Sequence, residues 1–107
     1  MTKEELTKWA LANGWQMIAG HPSLTKPSAR DTAIVRLVMK TTVASLEIKK
    51  PSGRWDKITT ASYGKINADS DTGLPSGLGL VTTPGLTKLM QDNKDGLVFA
   101  KMADRPA

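Results

Sequence analysis

The chain has 107 residues, a hydrophobic fraction of 39%, a charged fraction of 23% and no cysteine. This length predicts a single domain, residues 1–107. The absence of cysteine excludes a disulfide framework and a thiolate metal site. No apolar run approaches the roughly 18 residues that a membrane span needs. The N-terminal sequence is too acidic and too polar for a signal peptide, so we expect a cytoplasmic protein.

The net charge of +5 is concentrated in the middle of the chain. Residues 26–65 contain nine basic and three acidic residues, a balance of +6, so the remaining residues carry −1. A local excess of this kind favours an anionic partner, either nucleic acid or an acidic protein surface. The alternative interpretation is that these charges only solvate one face of a sheet.

The first residues predict a helix over residues 3–13. Thr2 and Glu5 have the spacing of a capping box, in which each residue accepts a hydrogen bond from the backbone amide of the other. Asn13 and Gly14 are typical of the end of a helix.

The next part of the chain is less regular. Residues 15–19 predict a short strand that a His-Pro pair ends, and residues 24–31 predict a loop. Residues 33–50 fit either a helix or a strand, and their density of Val, Ile and Thr favours strand. A one-residue bulge near Thr41 and Thr42 would keep the apolar positions on one face.

The strongest structural signal is a β-hairpin over about residues 41–66. Pro51 fits the first corner of its turn, and Gly53 can take the left-handed conformation that closes it. This turn places Lys50 opposite Arg54. It also predicts three further pairs across the two strands, namely Leu46 with Ile58, Glu47 with Lys57 and Ala44 with Thr60.

The sequence after the hairpin begins with a surface loop. Residues 67–77 are rich in turn formers, and Asp69 and Asp71 fit a turn better than a calcium site. Thr83 and Pro84 predict the start of a short second helix.

We expect this second helix to end at Asn93. Asp95 and Gly96 then predict a turn, residues 97–100 a final short strand, and residues 101–107 a frayed tail. Together the elements predict an α+β fold: an N-terminal helix, a mainly antiparallel sheet built on the hairpin, a short second helix and a final short strand.

The sequence contains one histidine and no nucleotide-binding or metal-binding signature. We therefore predict a small non-enzymatic binding module, with no cofactor and no metal, that uses a basic face of the sheet. The predicted binding residues are Arg36, Lys40, Lys49, Arg54, Lys57, Trp55 and Tyr63. Exposed aromatic side chains beside cations can stack on bases. Trp55 and Tyr63 also fit the core, because the chain has few large side chains.

The first fifth of the chain supports another interpretation. Leu6, Asn13-Gly14-Trp15 and Gly20-His21 occur in a helix, strand and loop order that resembles the HicA family of small toxin ribonucleases. The resemblance implies a double-stranded-RNA-binding-like fold, in which a helix is followed by a three-stranded sheet and a second helix. It also implies that His21 is catalytic.

Overall fold

A computed structural model describes the backbone of residues 1–103 and the side chains of residues 1–96. The elements in chain order are α1 (Lys3–Ala12), β1 (Gln16–Ile18), β2 (His21–Lys26), β3 (Ala29–Met39), β4 (Val43–Lys49), β5 (Trp55–Ser62), a 3-10 turn (Tyr63–Lys65), β6 (Asn67–Ala68), β7 (Pro75–Ser76) and α2 (Leu86–Ala103). Strands β1 to β5 form one antiparallel sheet in chain order, and β6 pairs with β7. The predicted α+β fold is confirmed.

Helix α1 begins as its sequence predicts. Thr2 Oγ1 accepts a hydrogen bond from the Glu5 amide at 3.1 Å, and Glu5 Oε1 accepts one from the Thr2 amide at 2.9 Å. The Thr2 amide bond lowers the pKa of Glu5, because it stabilises the charged carboxylate. The capping box is therefore confirmed, and α1 directs Leu6 and Ala10 into the core.

The β4–β5 hairpin has the predicted turn. Lys50 donates its amide hydrogen to Arg54 O at 2.7 Å, and Gly53 has φ +90°. Glu47 pairs with Lys57 as predicted. Beyond that pair the register shifts by one residue, because Ile58 bulges out of the ladder and is 42% exposed.

Because of the bulge at Ile58, the two other predicted pairs are wrong. Leu46 faces Thr59 instead of Ile58, and Ala44 faces Ala61 instead of Thr60. The strand interpretation of residues 33–50 is confirmed, but the predicted bulge near Thr41 and Thr42 is wrong. A turn lies there and separates β3 from β4, and the Lys40 amide donates to Val43 O at 2.9 Å.

Three other predictions about secondary structure are also wrong. Residues 24–31 are mostly strand, since they contain the end of β2 and the start of β3 around a short turn. The second helix does not end at Asn93, because α2 continues to Ala103. Residues 97–100 belong to α2, as do Asp95 and Gly96, so the final strand and the turn before it are absent there. A frayed tail was predicted for residues 101–107. Residues 101–103 belong to α2, and residues 104–107 lie outside the described residues.

One hydrophobic core joins both helices to one face of the sheet. Helix α1 contributes Leu6 and Ala10, and α2 contributes Leu86 and Met90. The other large buried side chains are Trp15 in the loop before β1, Leu24, Leu37 and Leu46 in the sheet, and Ile66, Leu78 and Leu80 between β5 and α2. The helices therefore lie on the core face, and the opposite face of the sheet is built from different residues.

The loop after α1 packs closely on α2. Gly14 has φ +93°, and a Cβ built on it would lie 2.6 Å from the backbone N of Lys94. Gly20 has a similar φ of +83°, but a Cβ there would meet no atom within 4 Å. The two glycines therefore separate the cost of the backbone conformation from the cost of contact with α2.

We predict that Gly14→Ala destabilises the protein more than Gly20→Ala. A left-handed conformation costs an alanine roughly 1–2 kcal/mol at either position. Gly14→Ala adds a backbone collision with α2, which we expect to cost about 1 kcal/mol or more in addition. Urea denaturation of both variants measures the difference. Equal free energies of unfolding would contradict the close contact between Gly14 and α2.

Candidate nucleic-acid interface

A row of polar side chains crosses the sheet on the face opposite the core. Ser23 pairs with both Gln16 and Arg36, Arg36 pairs with Glu47, and Glu47 pairs with Lys57. Neighbours in this row project to the same side, because paired residues of antiparallel strands share a face. We call this surface the polar face.

Arg36 is the centre of the polar face. Its Nε donates to Glu47 Oε1 at 2.8 Å, and its Nη2 lies 2.7 Å from the same oxygen. Its Cζ lies 4.0 Å from the ring centroid of Trp55, which is half-buried. The Arg36 and Glu47 side chains are 25% and 14% exposed. The N–H groups of Arg36 therefore bind a carboxylate, and its planar group lies against an indole ring, in a partly buried position.

This arrangement fixes the plane of the guanidinium. A guanidinium stacked on tryptophan gains from the ring quadrupole, and the bond to Glu47 sets its orientation. Glu47 also offsets the charge of Arg36, which makes Arg36 a weaker contact for phosphate than an unpaired cation. The role of Glu47 was missed at the sequence level, because the β3–β4 register that brings it to Arg36 depends on the turn after Lys40.

Other predicted cations lie around this centre. Lys57 is exposed beside Glu47, and Lys49 pairs with Trp55 on the same face. Arg54 is exposed at the end of the β4–β5 turn. Within residues 1–96, none of these three side chains forms an ion pair. They are therefore the predicted cations around Arg36 that remain open to an anionic partner.

Lys40 does not join this group. It lies in the β3–β4 turn opposite Val43, six residues along β4 from Lys49. At the rise of a strand this places the two lysine backbones about 20 Å apart. Lys40 therefore lies far from Lys49 along the sheet.

Tyr63 also lies apart from Trp55, just beyond the other end of β5. Its hydroxyl donates to the Lys40 carbonyl at 2.6 Å, and its ring packs partly against the core. Burial raises the pKa of Tyr63, and the negative charge of Glu4 adds to this effect. The Tyr63 ring therefore packs at the end of the sheet near Lys40, away from the Arg36–Trp55 stack.

We predict that Tyr63 titrates above the ordinary tyrosine value of 10.0. It is the single tyrosine of the chain, so absorbance of the tyrosinate follows it alone. Its contribution to stability is fully present below the unfolded pKa and is lost as pH rises through the raised folded pKa. Glu4→Gln should remove only the smaller part of the shift, because burial is the main cause. A midpoint at the value of the denatured chain would contradict the buried position.

His21 begins strand β2 directly after a turn in which Ala19 has φ +51° and Gly20 φ +83°. It pairs with Ile18 and is half-buried. Since His21 is two residues before Ser23 on one strand, it belongs to the polar face.

The resemblance to the HicA family implied a three-stranded sheet, whereas this sheet has five strands. The order of helix, sheet and second helix agrees with the resemblance.

Other chemical features of the sequence have structural explanations. Asp69 Oδ1 accepts a hydrogen bond from the Asp71 amide at 2.9 Å, which confirms that Asp69 forms a turn. In the part of the chain that the structure describes, no three or more His, Asp or Glu side chains are grouped to hold a metal ion. No described helix combines the length and apolar composition needed to cross a membrane.

Comparison with known proteins gives no further assignment. No protein-family model, no curated protein and no solved structure matches this chain.

Proposed function

We propose that this protein is a non-enzymatic binding module whose polar face contacts nucleic acid, with single-stranded nucleic acid as the preferred form. The observation that carries the proposal is the Arg36–Trp55 stack, which lies among cations without acidic partners in the described residues. A cytoplasmic location is part of the same proposal. The alternative anionic partner for the same cations is an acidic protein surface.

The stack supports a partner with flat rings. A guanidinium that lies on an indole on one side can take a base on its other side, and arginine planes commonly stack on unpaired bases. An acidic protein surface offers carboxylates but few flat rings. The fixed plane of Arg36 therefore favours nucleic acid over an acidic protein.

The surrounding cations support backbone contacts. Lys49, Arg54 and Lys57 carry charge without an acidic partner in the described residues. Contacts of this kind neutralise phosphates and carry no sequence information, so we expect binding that is largely indifferent to base sequence. Duplex DNA hides the base faces, so only a single strand can use the Arg36 plane.

We predict that binding to a labelled single strand weakens steeply with salt. Each neutralised phosphate of a single strand contributes about −0.7 to the slope of log affinity against log salt. Three cations therefore give a slope of about −2, and Lys57→Gln should flatten it by about 0.7. Lys8→Gln is the matched control, because Lys8 is exposed on α1, away from the polar face. Fluorescence anisotropy across a salt series measures both.

Arg36→Lys separates stacking from charge. The variant keeps the positive charge but loses the planar group, so the salt slope should stay the same. The affinity for the single strand should fall by about fivefold or more, since stacking on one base is worth about 1–3 kcal/mol. Binding to duplex DNA should change less. Absence of binding to either form at low salt would contradict the proposal and favour an acidic protein partner.

The second candidate is a ribonuclease that uses His21, as the family resemblance implies. It is favoured by the position of His21 on the polar face and by the order of helix, sheet and helix. Incubation of a labelled RNA with the wild type and with His21→Ala distinguishes the candidates. We expect neither protein to cleave the RNA. Cleavage by the wild type that is lost in His21→Ala would identify the protein as an enzyme.

A further inference from the structure

A second surface lies at the end of the sheet and is distinct from the centre of the polar face. The β2–β3 turn and the β4–β5 turn occur at the same end, because β2 and β4 run in the same direction. Between these turns and the first residues of α2 there is a groove of about 820 Å³. This volume is within the range of about 300–1,000 Å³ that is usual for small-molecule sites.

The floor of the groove is aliphatic. Ile34, Val35 and Ile48 line it from the sheet, and Leu86 and Leu89 line it from α2. Ile34 reaches the groove because the register between β2 and β3 shifts beside it, which leaves Ile34 without a partner in the ladder. Branched side chains from both layers therefore form a surface suited to an alkyl chain.

The polar lining of the groove carries only positive charge. Its charged residues are Lys26, Lys49 and Lys50, and no acidic side chain lines it among the described residues. Lys26 and Lys50 are exposed, and neither forms an ion pair within residues 1–96. An occupant that is complementary to the groove has an apolar body and a negatively charged head.

A fatty carboxylate satisfies this requirement better than a peptide does. Every peptide unit brings a donor and an acceptor that need partners when they lose water. The floor offers aliphatic side chains along its length and few hydrogen-bonding groups. An alkyl chain needs none, and its single carboxylate can reach the lysines.

We propose that the groove binds a free single-chain fatty carboxylate. The alkyl chain lies on Ile34, Ile48 and Leu89, and the carboxylate contacts Lys26 and Lys50. This site is independent of the nucleic-acid proposal, because its lysines at the two turns are not the residues around Arg36, apart from Lys49 at the boundary.

The test uses the full chain and laurate as the probe, at concentrations below micelle formation. Isothermal titration calorimetry compares laurate with dodecyltrimethylammonium, which has the same chain length and the opposite head charge. We expect laurate to bind and the cationic probe not to bind. Equal binding of both probes would overturn the proposal, since the lysines would then have no role.

Variants identify the residues involved. Lys26→Gln and Lys50→Gln should each weaken laurate binding about twofold to fivefold, as exposed ion pairs do. Lys65→Gln is the matched control outside the groove, and Lys57→Gln should leave laurate binding unchanged while it alters the salt dependence of nucleic-acid binding. Unchanged laurate affinity in both groove variants would contradict the assigned position of the carboxylate.

Two further probes exclude other occupants. Binding to phosphatidylglycerol vesicles without binding to monomeric laurate would assign the lysines to a membrane surface and overturn the proposal. Binding of a labelled acidic peptide that contains leucine, without binding of laurate, would place a protein segment in the groove and overturn it equally.

Discussion

The side-chain amide of Asn93 completes the edge of strand β2 at the point where strand β1 stops. Asn93 Oδ1 accepts from the Thr25 amide at 2.9 Å, and Asn93 Nδ2 donates to the Thr25 carbonyl at 2.9 Å and to the Leu89 carbonyl at 2.8 Å. Both residues are buried. Strand β1 has only three residues, so these backbone groups of Thr25 would otherwise be buried without partners. The contact fixes α2 against β2, and the close approach of Gly14 to Lys94 lies beside it.

The opposite edge of the sheet is protected in another way. Strand β5 has eight residues and could pair with another strand along its outer side. The bulge at Ile58 interrupts its ladder, and the exposed Lys57 lies next to the bulge. Both features disfavour pairing between edges. The polar face and the groove at the end of the sheet remain accessible to a partner, and the position of α2 decides the shape of the groove.

The parts of the fold that could be predicted depend on local rules. The capping box of α1 and the turn at Pro51–Gly53 each involve a few adjacent residues, so the sequence identifies them directly. The Glu47–Lys57 pair followed from the turn, and the prediction failed at Ile58, where nothing in the local sequence indicates a bulge. Strand β2 was hidden by Pro22, which the sheet tolerates near the start of a strand beside the short edge strand β1.

The candidate site was harder to predict because it depends on register between distant residues. The basic residues could be identified from charge, but their grouping could not. The turn between Lys40 and Val43 contains no Gly, Pro or Asn, so it resembled a continuous strand, and the pairing of Arg36 with Glu47 across β3 and β4 was missed. Asn93 was expected to end a helix, since asparagine often does. Its bonds to Thr25 depend on a strand 68 residues away, which no local pattern reveals.

The role of Asn93 can be measured by combining urea denaturation with native-state hydrogen exchange. Asn93→Leu preserves the shape of the side chain but leaves the buried Thr25 amide and carbonyl without partners. We expect a loss of about 2 kcal/mol or more in the free energy of unfolding and a selective loss of protection at the Thr25 amide. The control is Asn67→Leu, because Asn67 is exposed in β6. Wild-type stability in Asn93→Leu, with the Thr25 amide still protected, would contradict the dependence of the sheet edge and α2 on this amide.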